Sequence, residues 1–305
     1  MACQPGKDLT PTMTTDTQDD RPLISVITPS YNQAGFIEDT ISSVASQCYS
    51  RVEHIVVDGE SDDGTFDILR EHDERLRWIS EPDDGQADAI NKGFEMANGD
   101  VIGWLNSDDV FFDIGVLNRV VGYFDRYDVD VIYGDMALIN ADSEVLKLQV
   151  VPNFDYEQLL VGCFIEQPSL FFRKEVVAKN RLDTDLTYAF DYEFWLRLAR
   201  EYEFRHVSDI LAGDRNHGAR KILHQRDAMR RESQAVRERY GGPIEVAHER
   251  RRKLKTVTSG VPRAGLAALR TVSMHSLPPE LAFDGELRPL AEMVVNAVRR
   301  NRNLL

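Results

Sequence analysis

Asn106-Ser107-Asp108-Asp109 follows directly on an apolar run, Val101 to Leu105. Amide and carboxylate oxygens at the end of a buried strand are hard ligands, suited to Mg²⁺ or Mn²⁺ bridging the phosphates of a substrate. The same tetrapeptide also fits a plain turn in which Asp108 or Asp109 caps a helix. Three more polar groups end apolar runs in the same way: Ser30, Tyr31 and Asn32; Asp58; Asp83 and Asp84. No Gly-x-Gly-x-x-Gly follows the first apolar run, and there is no P-loop. Glycine turns therefore do not cradle a pyrophosphate, and acidic loops can hold a nucleotide only through a divalent cation.

Elements must gather these groups. Leu23 to Thr28 reads as a buried strand, and Ile37, Ile41 and Val44 mark a helix over about 35–47. His54 to Val57 is a second strand, followed by turns at Asp58-Gly59 and Asp63-Gly64 and a helix from Phe66 with Thr65 as its N-cap. Leu76 to Ile79 is a strand, Ala87 to Ala97 a helix, and Val101 to Leu105 a strand. Val116, Val120 and Phe124 share a helix face, and Val129 to Tyr133 opens another strand. Such alternation predicts an α/β fold, a mostly parallel sheet with helices on both faces, whose ligands sit where strands end. The polar groups converge on that edge.

The chain has 305 residues, 42% apolar and 29% charged, enough for one large domain or two ordinary ones. A net charge of −15 excludes general binding of nucleic acid, which needs a positive field. Thirty Asp and 21 Glu stand against 28 Arg and only 8 Lys. That balance suits a halophile's protein in concentrated salt, or an ordinary acidic protein from a GC-rich genome. Cys3, Cys48 and Cys163 have no metal or disulfide spacing and fit a reducing compartment. No secretory signal is expected in residues 1–22, and no run is long enough to span a membrane, so the cytoplasm is the expected compartment.

Three segments follow: a disordered lead (1–22), a main domain (23–240) and a basic helical appendage (241–305). Residues 237–305 carry a net charge of +6, and the rest of the chain carries −21. The run Arg250 to Lys253 and the apolar positions Leu266, Leu269 and Val272 fit a segment lying on an anionic membrane. They fit equally an appendage docked on the acidic main domain.

Ser25-Val26-Ile27-Thr28-Pro29-Ser30-Tyr31-Asn32 and Val57-Asp58-Gly59-Glu60-Ser61-Asp62-Asp63-Gly64-Thr65 resemble motifs of the family 2 glycosyltransferases. So do Gly99 to Asp109 and Asp191-Tyr192-Glu193-Phe194-Trp195-Leu196-Arg197. The four lie in family order across about residues 22–240. The resemblance implies the GT-A fold and an inverting, hexosyltransferase-like enzyme that uses a nucleotide-activated sugar.

It also implies roles. Pro29 and Tyr31 pack on the nucleoside, Asp58 bonds the base, and Asp88 reaches ribose or sugar; Asn91 and Lys92, in the same helix, fit plain helix surface as well. The family's metal motif is usually Asp-x-Asp. Here Asn106 takes its first place and is left to ribose or to water on the metal, with Ser107 beside it. Asp108 becomes the principal carboxylate ligand of Mg²⁺ or Mn²⁺, and His217 completes the metal site or meets the diphosphate. Asp191 is the catalytic base that takes the acceptor hydroxyl's proton; a plain helix cap is its structural alternative. Gln167, Ser169 and, secondarily, Glu193 belong to the acceptor side, while Phe171 and Phe172 are core.

The implied partners are a UDP-, GDP- or dTDP-sugar and a glycan or a polyprenyl- or dolichyl-linked acceptor. The setting is assembly of cell-surface glycan or of glycoprotein N-glycan, with the enzyme peripheral on the cytoplasmic face of the membrane. Two rivals share parts of this pattern. A nucleotidyltransferase would open with a Gly-rich loop carrying Arg and Lys, which is missing. An inactive subunit of a glycan-assembly complex would be expected to lose Asp108 or Asp191, and both are present.

Overall fold

The structure, a computed structural model, describes residues 20–218 and 225–243. Its elements are β1 (Ile24–Ser30), α1 (Ile37–Ala45), β2 (Val52–Asp58), α2 (Thr65–Glu71), β3 (Arg77–Ser80), α3 (Gln86–Met96), β4 (Val101–Trp104), β5 (Val110–Phe111) and α4 (Val116–Arg126). There follow β6 (Val131–Ile139), β7 (Val145–Gln149), α5 (Tyr156–Val161), a 3₁₀ turn (Gln167–Ser169), β8 (Leu170–Arg173), α6 (Lys174–Lys179), α7 (Phe190–Leu198), β9 (Phe204–Arg215) and a last helix, here α8 (Arg226–Arg239). Residues 244–305 of the segment read as basic appendage, with Arg250 to Lys253, Leu266, Leu269 and Val272, and residues 1–19 of the expected disordered lead lie outside the described residues.

One sheet runs β3-β2-β1-β4-β8-β6-β9-β5, with β7 beside β6. The parallel arrangement expected from the alternation holds for β3-β2-β1-β4, and β6 and β9 are also parallel. Strand β8 runs against both β4 and β6, and β5 runs against β9. The second half of the sheet is therefore mixed.

Burial on both faces explains the continuous apolar runs, since neighbours along a strand point to opposite sides. Ile27 and Phe172 join Ile90, Phe94, Phe194 and Trp195 on one face. Their neighbours Val26 and Phe171 join Val120, Phe124 and Leu211 on the other. Helix α3 lies close on β1 because residue 93 is glycine; a Cβ there would meet Ile27 Cγ2 at 2.2 Å. Helix α2 begins differently from the expected Thr65 cap. Gly64 holds the N-cap place with φ of 101°, and Thr65, the first helical residue, donates its hydroxyl to Asp63.

Cys163 is free. No described helix is long and apolar enough to cross a membrane.

Candidate active site

Strands β1, β2 and β3 end together and set out the first wall. Pro29 and Ser30 are the buried end of β1, and the chain then turns so that Tyr31 is 62% exposed. Asn32 takes φ of 54°, and its amide oxygen accepts from Asp62 N–H while its own N–H donates to Ser61 Oγ. Asp58 has no exposed surface. It accepts from the Ser61 hydroxyl, from Ser61 N–H at 3.0 Å and from the Ser80 hydroxyl at 2.7 Å. Its carboxylate therefore ties the ends of β2 and β3 to the loop after β2, so the oxygens that the family resemblance assigns to the base are engaged within the fold. The open rim belongs instead to Tyr31 and Asp83. A Cβ on Gly59 would stand 2.6 Å from Asp83 Oδ2 and 3.4 Å from the Tyr31 ring, so the glycine keeps clear the gap these two flank.

At the start of α3, Asp88 accepts from Asp84 N–H at 3.3 Å and pairs with Lys92 at 3.4 Å. Lys92 also reaches Glu81 and the Pro82 carbonyl. Asn91 exchanges two hydrogen bonds with the backbone of Leu182, so it fastens α3 to the chain before α7.

Directly after β4, Asn106 is a hub. Its oxygen accepts from Gln86 at 2.9 Å and from the Trp104 indole at 3.0 Å; its nitrogen donates to Asp109 at 3.2 Å and Gln167 at 2.8 Å. An amide has two N–H groups and two acceptor positions, so this one is full. Asn106 thus braces the turn, a role that uses the N–H groups an aspartate lacks. Asp109 is buried too, accepting from Asn106 and from Arg215 N–H.

Asp108 and His217 meet: Nε2 lies 2.9 Å from Oδ2. The antiparallel pairing of β5 with β9 brings the end of β9, and His217 just beyond it, onto the acidic turn. Phe36 packs beside the imidazole with ring centroids 4.4 Å apart. Arg215 fixes the arrangement from below. Wholly buried, it donates to the Asp108 and Ala141 carbonyls, to Ser143 Oγ and to Asp39. A guanidinium so engaged is not available to a diphosphate.

The donor set fits a divalent ion. Ligands about 2.1 Å from an octahedral metal stand about 3 Å apart on neighbouring vertices, close to the Asp108–His217 separation. Among the described residues no group of three His, Cys, Asp or Glu side chains converges as a metal cage. Two protein ligands leave the other positions to phosphate oxygens and water, the usual way Mg²⁺ is held at a substrate site.

Asp191 lies in the first turn of α7, and the N-cap place belongs to Ala189. Phe190 stacks on Trp104 with centroids 5.8 Å apart, and Trp104 in turn donates to Asn106. Aromatic packing thus links the helix start to the acidic turn. Asp191 keeps some open surface, yet burial among protein atoms pushes its pKa up to about 6, opposed by the Tyr192 N–H bond and reinforced by the charge of Glu232. Of the groups expected on the acceptor side, Ser169 is wholly buried and donates to the Gly134 and Glu166 carbonyls. Gln167 is spent on Asn106 and the Trp104 carbonyl. Glu193 is buried in a two-point pair with Arg197, both bonds 3.0 Å, and accepts from Tyr240. These three are braces, because their polar atoms are already consumed inside the fold.

The chain's residues 25–190 match the family described as Glycosyl transferase family 2. It belongs to that family. The chain is 30% identical over 181 residues, 59% of its own length and 70% of the relative's, to the Escherichia coli UDP-Glc:alpha-D-GlcNAc-diphosphoundecaprenol beta-1,3-glucosyltransferase WfgD. It is 28% identical over 217 residues to an uncharacterized glycosyltransferase of Rickettsia typhi, and spans 65% of that protein's length. The fold is that of the Pyrobaculum calidifontis mannosyltransferase PcManGT, solved with GDP-Man and Mn²⁺. The TM-score is 0.58 at 19% identity, over 94% of this family 2 chain and 87% of the other.

Proposed function

We propose that this chain is an inverting glycosyltransferase, moving a sugar from a nucleoside-diphosphate donor to a hydroxyl of a glycan or lipid-linked acceptor in the making of cell-surface glycan. The observation that carries the reading is a link through Trp104 between two distinct chemistries. Trp104 bonds Asn106 at the turn that holds the Asp108–His217 pair, fit for a cation, and stacks on Phe190, next in the chain to Asp191, a carboxylate with its pKa pushed up to about 6. Such a carboxylate is ionised at neutral pH and is a stronger base than an exposed aspartate.

Tyr31 offers its open ring to the nucleoside beside Gly59 and Asp83. A divalent ion held by Asp108 and His217 would offset the charge of the leaving diphosphate. Asp191 takes the acceptor hydroxyl's proton as that oxygen bonds to the anomeric carbon. The bond from that carbon to the diphosphate oxygen breaks on the opposite face, which inverts the centre and requires no acid from the protein.

A donor that is a UDP- or GDP-sugar is supported by what the names of WfgD and PcManGT state for those proteins, and dTDP-sugars remain in the comparison set. The diphosphoundecaprenol-linked acceptor in WfgD's name likewise supports a lipid-linked acceptor. The test is a screen of UDP-, GDP- and dTDP-sugars for nucleoside-diphosphate release, with Mn²⁺ and with EDTA. Release from one donor class, lost with EDTA, is expected; binding without any turnover over a full acceptor panel counts against an enzyme.

A further inference from the structure

The carboxylate of Glu232, on α8, grips the turn that leads into α7. One oxygen accepts from Thr187 N–H at 2.7 Å, and the other from Tyr188 N–H at 2.6 Å and Ala189 N–H at 3.1 Å. Asp191 follows two residues after the last of these. Helix α8 is itself held by polar anchors. Arg237 donates to the Val161 carbonyl at 3.2 Å, Arg239 pairs with Asp183 at 2.9 Å, and Tyr240, just past the helix, reaches Glu193. The grip is thus part of a docked helix, and Glu193, expected beside the acceptor, is one of its mooring points.

A turn that simply needed its N–H groups satisfied could use a nearby Ser or Asp, as helix starts commonly do. Here a charged side chain from a different element serves three consecutive N–H groups, which fixes the turn's position as well as its hydrogen bonding. We propose, on the reading of Asp191 as the base, that Glu232 is a positioning residue that sets where the Asp191 carboxylate stands. Displacement of a reacting group by about 1 Å can cost about 100-fold in rate, so the grip matters to turnover and not to donor binding. Two titratable groups interact with Asp191 by charge: Glu232 from α8 and Cys163 from the loop after α5.

The experiment compares full-length wild type, E232Q, E232D and D191N. It reads rates of nucleoside-diphosphate release from UDP-glucose or GDP-mannose, whichever the wild type turns over, across pH. E232Q keeps the size but loses the charge and one acceptor oxygen. Its kcat should fall roughly 10- to 100-fold with donor KM within about twofold, and its acid limb should move to lower pH because a like charge has gone. E232D keeps the charge but shortens the reach, so kcat should fall while the acid limb stays. A merely structural role would lower the melting temperature without moving the acid limb.

Wild-type kcat with an unmoved acid limb in E232Q overturns the proposal. If E232Q does not fold, wild-type kcat in folded E232D overturns it equally. D191N separates the two readings. Full activity in D191N removes Asp191 as base whatever Glu232 does, whereas an inactive D191N beside wild-type Glu232 variants removes only the positioning role.

Discussion

The ends of β1, β2 and β3 and the corner where α7 meets α8 each hold a withdrawn aspartate, and they treat it in opposite ways. Asp58 receives three hydrogen bonds from Ser61 and Ser80, its immediate surroundings. Asp191 is served only by backbone N–H groups, those of Tyr192 and of its own residue, and faces the like charge of Glu232. A carboxylate bonded by side chains of neighbouring loops ties them together; one buried without such donors and facing a like charge has its pKa raised, which suits the base of the proposed reaction. The difference separates framework from chemistry more sharply than burial does.

Removing the poised carboxylate is the change with the largest expected effect. D191N should lose about 10²- to 10⁴-fold in kcat while its affinity for the nucleoside-diphosphate sugar stays near wild type. Rapid-quench or steady-state release of nucleoside diphosphate, together with calorimetric donor binding, checks both halves. The cation pair comes next. Asp108→Ala and His217→Ala should each weaken nucleoside-diphosphate binding roughly 10- to 100-fold, and EDTA should do the same to the wild type. Equal affinity with and without EDTA would leave the leaving charge without a carrier, since Arg215 is fully engaged inside the fold.

A third change runs against what the family motif suggests. Asn106→Asp restores Asp-x-Asp but removes the N–H groups that serve Asp109 and Gln167. It sets a second carboxylate beside the buried Asp109. The variant should lose stability by about 1–3 kcal/mol and bind Mn²⁺ with donor no better than the wild type, by melting and by titration. Tighter metal binding in a fully stable variant would show that Asn106 is a replaced ligand and not a brace.

Much of the site's first wall could be read from the sequence because each of its polar groups directly ends an apolar strand run. The strands at Leu23 to Thr28, His54 to Val57 and Val101 to Leu105, with their polar ends, correspond to β1, β2 and β4. The second half was hidden for a physical reason. Arg215 finds Asp39, Ala141 and Ser143 across long separations, and no local pattern marks an arginine as wholly buried in an acidic chain. Ser169 and Glu193 misled in the other direction. Their types suit a sugar pocket, but Ser169 donates to the Gly134 carbonyl, which only the packed sheet brings near, and Glu193 pairs with Arg197 one helical turn on, a partner the spacing already offered. Asp83 gave a signal as an acidic strand end, yet its place beside Gly59 and Tyr31 depends on the turn after β3.

Smaller effects should appear in stability. Asp191's pKa rises on folding from 3.8 to about 6, so its contribution favours the fold below about pH 4 and is lost as pH rises through 6. D191N should therefore melt higher than wild type at pH 7.5, by on the order of 2 kcal/mol, and at the same temperature near pH 4. On the framework side, Ser80→Ala removes one neutral donor to Asp58. It should cost about 1 kcal/mol of stability with kcat nearly unchanged, which thermal melts and steady-state rates will show.

The most direct test of the poised base is the pH dependence of kcat/KM for the wild type. Asp191 must be ionised to accept the acceptor's proton, so the rate should fall on the acid side with an apparent pKa near 6, and that limb should be missing from the residual activity of D191N. A wild-type profile that stays flat down to about pH 4.5, the range of an ordinary carboxylate, would contradict the account.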